Sequence, residues 1–194
     1  MKWFANRRIA AKLILGFLIV AIIAAVVGGV GLLNLNRMAD ADVLLYEENL
    51  LGVDYSGDAA EFFQRIRFNA VKMLAVDDSA ELPALMNNVK KYTEEVDGLL
   101  TFYEDGIVAE TDRRLFGEAK PAWEVYKALA NDYIRLMQSG EVEAAKGLIF
   151  NEMGPAGDTV RETFGDLGDY NKNGAQERSA ENKALARSSS IVMI

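Results

Sequence analysis

The chain has 194 residues, 51% apolar and 26% charged, enough for one domain to bury a core without disulfide or metal staples. It contains neither cysteine nor histidine, which removes disulfide redox, thiolate nucleophiles, imidazole bases and the usual ligation of zinc, haem and iron–sulfur clusters. Its net charge of −8 is uneven: Lys2, Arg7, Arg8 and Lys12 precede a long apolar run, and the other 17 of 21 cations face all 29 acids beyond it, a net −12. Such a body has no electrostatic attraction for nucleic acid or anionic lipid. The composition points to a non-enzymatic protein without metal or cofactor.

Residues 1–12 form a basic tail, and from Leu13 to Leu33 no side chain is charged or polar. At about 1.5 Å per residue that run covers about 31 Å, the hydrocarbon thickness of a bilayer, so residues 13–33 are a predicted transmembrane helix. A cleavable signal peptide is the competing reading, with Ala39-Asp40-Ala41 as its small-x-small site, but its apolar region usually runs only about 7–15 residues. Basic residues before the run, with Asp40, Asp42, Glu47 and Glu48 after it, place the N-terminus in the cytoplasm. Residues 34–187 then lie outside the cytoplasmic membrane. Gly16, Gly28, Gly29 and Gly31 would let another helix approach the span closely.

Four helices are predicted over residues 34–187. The first carries Ala59, Phe63, Ile66, Ala70 and Met73 on one stripe, widened by Phe62 and Leu74. The second carries Leu82, Leu85, Val89, Tyr92, Val96, Leu99 and Tyr103 at alternating steps of three and four, and the third Phe116, Ala119, Trp123, Tyr126, Ala130, Tyr133 and Met137. These are bundle seams. The fourth shows Val160, Phe164 and Leu167 and then becomes polar. Asp77-Asp78-Ser79 ends the first helix and offers N-caps for the second, with Pro83 near its first turn. Asp105-Gly106 closes the second, Thr111 is the expected cap of the third with Asp112 favourable at its start, and Gln138-Ser139-Gly140 closes the third. Pro121 either kinks the third helix or marks its start. Gly154-Pro155 should break the fourth into a short piece near residues 141–151 and a longer one.

Connections this short force neighbours antiparallel. The predicted fold is all-α: a membrane-anchored, up-down-up-down four-helix bundle whose long first and fourth helices are continuous with transmembrane helices. Residues 188–194, ending Ile191-Val192-Met193-Ile194, read as the first turn of a second, truncated membrane helix; the competing reading is a frayed tail. Apolar residues thin out over Asn34–Gly57 and Asn171–Arg187, where the outer helices overhang the inner pair. Two helices alone are a marginal fold, so the expected partner is a second copy of the chain, a homodimer.

A basic tail, the span opening Arg8-Ile9-Ala10-Ala11-Lys12-Leu13-Ile14-Leu15-Gly16-Phe17, the Gly28–Gly31 exit and an extracytoplasmic four-helix region re-entering the membrane near residue 190 resemble the N-terminal half of a methyl-accepting chemotaxis receptor. Some sensor histidine kinases and diguanylate cyclases resemble the same architecture. The resemblance implies a ligand-sensing, transmembrane-signalling module, and small anionic ligands held at a dimer interface by arginines of the first helix and a hydroxyl of the fourth. It also implies a partner that is either a small molecule, such as a carboxylate, or a periplasmic binding protein carrying one. A ligand-free structural dimerisation bundle is the reading from another class.

Arg65, Arg67, Asn69 and Lys72 form the basic and polar cluster of the first helix, about 48 Å above the membrane edge at helical rise. Counting down the antiparallel fourth helix puts Thr159 and Thr163 at the same level. These six are the candidate ligand-binding residues, since guanidinium groups grip carboxylates in two-pronged fashion. The competing reading is ordinary surface pairing, Arg65 with Asp158 or Glu162 and Arg67 with Glu61 or another acid. Trp123, Tyr126 and Tyr133 read as bundle core rather than an aromatic cage. The acid pairs Glu47-Glu48, Asp77-Asp78 and Glu94-Glu95 read as solvated. A di-iron bundle would want Glu-x-x-His, which a chain without histidine lacks.

Overall fold

The computed structural model describes residues 8–76 and 80–192. Lys2 and Arg7 of the basic tail, the Asp77-Asp78-Ser79 break and the final Met193-Ile194 lie outside them. Most of the described residues are helical, with no strand among them: α1 (Ile9–Leu44), a π-helical segment (Leu45–Leu50), α2 (Leu51–Ala75), α3 (Leu82–Asp105), α4 (Glu110–Gln138), α5 (Val142–Leu148), a second π-helical segment (Ile149–Met153) and α6 (Gly154–Val192). They fall into two compact units, one of Leu45–Gln176 and one of the residues up to Leu44 together with those from Glu177.

In the second of these, α1 buries none of its residues. The chain stays helical from Ile9 to Ala75, and an 18-residue window of that helix has a mean hydropathy of 3.0 with nothing buried, long and apolar enough to cross a membrane.

The Leu45–Gln176 unit is a four-helix bundle, and its side-chain pairs fix the direction of every helix. Tyr55 meets Phe102, Phe62 meets Tyr92, and Asn69 meets Asn88, so α2 and α3 run antiparallel. Trp123 reaches back to Asp97 and Asp112 to Tyr103, which makes α4 antiparallel to α3. Phe63 touches Phe164, and Gly52 lies against Asn171, so α6 runs antiparallel to α2. The expected up-down-up-down order is therefore present. The stripes read from the sequence form the core: all five positions of α2, all seven of α4 and Val160, Phe164 and Leu167 of α6 are buried. On α3, Leu85, Val89, Val96 and Tyr103 are buried, while Leu82, Tyr92 and Leu99 are only partly covered.

Several local expectations are corrected. The third bundle helix begins at Glu110 with extended Ala109 at its N-cap and no side-chain cap. Thr111 therefore stands inside the first turn, and Pro121 lies within the helix rather than at its start. The N-cap position of α3 is Glu81, also without a side-chain cap bond. Gly154-Pro155 does not break the fourth helix. The π-helical turn just before Pro155 widens the backbone where a proline would collide with the carbonyl four residues earlier, and it keeps Ile149 and Met153 in the core together. Gly140, at φ 75°, takes the left-handed position that stops the third helix.

The supposed overhang is also different. Residues 45–57 and 171–176 belong to the compact bundle, and apart from Gly52 what they bury is polar: Glu48, Asn49, Ser56 and Asn171. Glu48, expected in solvent, is 4% exposed, whereas Glu94 and Glu95 are exposed as read.

Candidate functional site

Helical geometry divides the predicted cluster. Glu61, Arg65, Asn69 and Lys72 follow one another at steps of three and four, so they share a face of α2. With Phe68 of that helix and Asn88 of α3 they line a groove of about 530 Å³ between α2 and α3. Arg65 donates to Glu61 Oε1 at 2.6 Å, and its guanidinium lies 5.8 Å from the ring of Phe62 and 5.7 Å from that of Tyr92. Its acid partner is thus on its own helix, not Asp158 or Glu162. Asn69 donates to the Arg65 carbonyl at 2.7 Å and accepts from Asn88 at 3.2 Å. Lys72 Nζ reaches Glu81 at 3.5 Å. The groove therefore presents two cations, each already held by a carboxylate, beside the amides of Gln64, Asn69 and Asn88, the last two bonded to each other.

Arg67 is two residues from Arg65, about 200° around the helix, and lines a different groove with Tyr126 and the second π-helical segment. Its guanidinium stands 5.7 Å from the Phe63 ring rather than beside Glu61. Thr159 and Thr163 line neither groove. Their hydroxyls donate to carbonyls of their own helix, Pro155 at 3.3 Å and Thr159 at 3.0 Å. Sequence reasoning missed Glu61, Phe68 and Asn88 in the first groove and Tyr126 and Phe150 in the second. The three-four step through Glu61 was a visible signal; Asn88, on another helix, had none.

A third polar grouping lies at the bundle end where the chain passes into α1. Asn171, fully buried, donates to the Tyr103 hydroxyl at 2.5 Å, and that hydroxyl donates to Asp112 Oδ1 at 2.7 Å. Trp123, Tyr126 and Tyr133 are buried core, and Tyr133 donates to the Ala70 carbonyl at 2.7 Å. Burial, reinforced by the charge of Glu48 and opposed by the Tyr103 hydrogen bond and by Arg113, lifts Asp112 above its ordinary value of 3.8. A carboxyl lifted on folding keeps its proton better in the native state, so its contribution falls as pH rises from 3.8 through the raised value and is level above it. Asp112→Asn should flatten that part of the stability–pH curve, read by urea denaturation between about pH 4 and pH 7. An unchanged slope would remove Asp112 as its source.

The bundle with its apolar leading helix matches, over residues 6–186, the family described as a four helix bundle sensory module for signal transduction. The chain belongs to that family. The sensory module is 34% identical, over 129 residues, to a protein of Acetivibrio thermocellus described as a sensory transducer; the match covers 66% of this chain and 23% of the relative. It is 21% identical over 177 residues to YvaQ of Bacillus subtilis, also described as a sensory transducer, covering 91% of this chain and 31% of the relative. The sensory module thus spans less than a third of the length of these relatives. Its family is one of signal transduction.

Proposed function

We propose that this sensory module is the extracytoplasmic input half of a chemoreceptor of the methyl-accepting type. Residues 13–33 cross the cytoplasmic membrane with the N-terminus inside, the bundle lies outside, and two copies form a homodimer. The observation that carries this reading is the helix Ile9–Ala75: its apolar window of hydropathy 3.0 is unburied, and its backbone continues into the sensory bundle without a break. Positive charge before that window supports the orientation. A small carboxylate, free or delivered by a binding protein, is read at the groove of Arg65, Asn69 and Lys72, while Thr159 and Thr163 act only within their helix. The ligand biases one of two arrangements of the dimer, and a difference in affinity between them is the whole of the transmitted signal. Displacements of about 1–2 Å suffice for such switches.

Reporter fusions after Gly140 test the topology. Alkaline phosphatase should be active there and green fluorescent protein dark; the reverse pattern overturns the reading. Sedimentation velocity of the detergent-solubilised chain should show a dimer, and a monomer at every concentration would reject the second copy.

A further inference from the structure

Eight cations of the bundle reach a carboxylate on a neighbouring turn or helix: Arg65, Lys72, Arg114, Lys120, Lys127, Arg135, Lys146 and Arg161. Arg67 does not. It is half-buried, and among the described residues no carboxylate lies within ion-pair distance of it; its contact is the Phe63 ring. Part of this side chain is thus withdrawn from water, and its positive end meets the face of a ring rather than a counter-ion.

The walls around it are apolar. Arg67 and Val71 of α2, Tyr126 of α4, and Ile149, Phe150 and Met153 of the π-helical segment enclose about 160 Å³. Phe150, 69% exposed, and Val71, 54% exposed, form the rim. The Tyr126 hydroxyl makes no hydrogen bond to a described residue, and burial pushes its pKa up against the pull of the Arg67 charge, so it stays protonated and able to donate. Gly157 leaves room for both side chains against the fourth helix: a Cβ there would stand 3.2 Å from Tyr126 Cε2 and 3.6 Å from Arg67 Nε.

We propose that this groove, between the first helix and the π-helical turn that opens the fourth, binds a monocarboxylate whose apolar body is about one ring in size. The carboxylate pairs with Arg67, the geometry in which guanidinium binds most strongly, and the ring fills the apolar space. An apolar cavity of roughly 150 Å³ is known to hold benzene, which matches the volume available. An α-amino acid fits poorly, since no acidic side chain lines the groove to take its ammonium group. A dicarboxylate would leave its second charge against Ile149 and Met153. The site is separate from the α2–α3 groove; it rests on the reading of the chain as a sensor only for its purpose, and binding itself is measurable without signalling.

The test is calorimetric titration of the full chain in lipid nanodiscs with benzoate and cyclohexanecarboxylate, against benzamide and L-aspartate. Both acids should bind saturably, one per chain. Benzamide and aspartate should be weaker by at least about tenfold, the value of one charge-assisted contact. Arg67→Gln should weaken benzoate by a similar factor without changing the melting temperature of the unliganded chain. Val71→Trp, which fills the groove from its rim, should abolish binding, and Arg65→Gln should leave it unchanged. No saturable binding of either acid up to roughly 10 mM, a range ending well above any specific affinity, would overturn the proposal. Wild-type affinity in both Arg67→Gln and Val71→Trp would overturn it too. Loss of benzoate binding on Arg65→Gln but not on Arg67→Gln would move the site to the α2–α3 groove, overturning this proposal while keeping the sensor reading.

Discussion

Trp123→Ala should lower the stability of the bundle by about 3–5 kcal/mol, the usual cost of emptying a large aromatic site. The indole is 1% exposed, with its centroid 6.2 Å from that of Tyr126 and 6.4 Å from that of Phe164. It therefore joins the third bundle helix to the fourth at mid-height. Its Nε1–H donates to Asp97 Oδ1 at 2.7 Å, which ties in the second helix. Truncation leaves a cavity that three packed helices cannot close, but it strands no charge, because Lys127 still reaches Asp97 at 3.0 Å. Trp123→Phe should cost clearly less, since most of the volume remains. Val108→Ala, at a site 70% exposed, should stay within about 0.5 kcal/mol. Urea denaturation followed by far-ultraviolet circular dichroism gives all three, and a cost below about 1 kcal/mol for Trp123→Ala would contradict the packing described.

The second large effect is expected where Asn171 lies over Gly52. A Cβ at Gly52 would stand 2.5 Å from Asn171 Cγ, so Gly52→Ala forces the amide off the Tyr103 hydroxyl. Overpacking of this kind costs about 1–3 kcal/mol. Asn171→Ala removes the same hydrogen bond from the other side and opens a void, for about 1–3 kcal/mol. The double variant should be less damaged than the sum, because the new methyl fills the space the amide vacated. A coupling of at least about 0.5 kcal/mol is the expected signature, and additivity within that margin would mean the two residues do not touch. Gly174 and Asn49 repeat the arrangement, with a virtual Cβ at Gly174 lying 2.6 Å from Asn49 Nδ2.

These positions show what a single sequence reveals and what it hides. Apolar residues at three-four spacing are visible because burial selects them one by one, and the stripes of α2 and α4 are buried at every position read. Polar interiors carry no such mark. After Leu167 the fourth helix keeps its period, but the next inward residue is Asn171, so the stripe looked finished when only its chemistry had changed. Glu48 misled for the same reason. The π-helical turns escaped notice because each adds a residue without altering composition. Thr111 failed as a cap because the helix begins earlier, at Glu110.

The candidate site was legible only as far as one helix reaches. Spacing alone separates Arg65 from Arg67, since residues two apart face opposite ways. Level along the bundle says nothing about azimuth, which is why Thr159 and Thr163 stood at the right height and lined neither groove. The groove walls supplied by Asn88, Tyr126 and Phe150 come from helices whose rotation only tertiary packing decides.

Trp123 also gives the molecule an optical use. Its indole stacks near Tyr126, whose other side walls the Arg67 groove, and it is the sole tryptophan among the described residues. With Trp3, the other tryptophan of the sequence, replaced by Phe, ultraviolet emission excited at the red edge comes from the bundle's interior, one aromatic ring away from the cavity, and occupancy there can be followed by colour and brightness with no label attached.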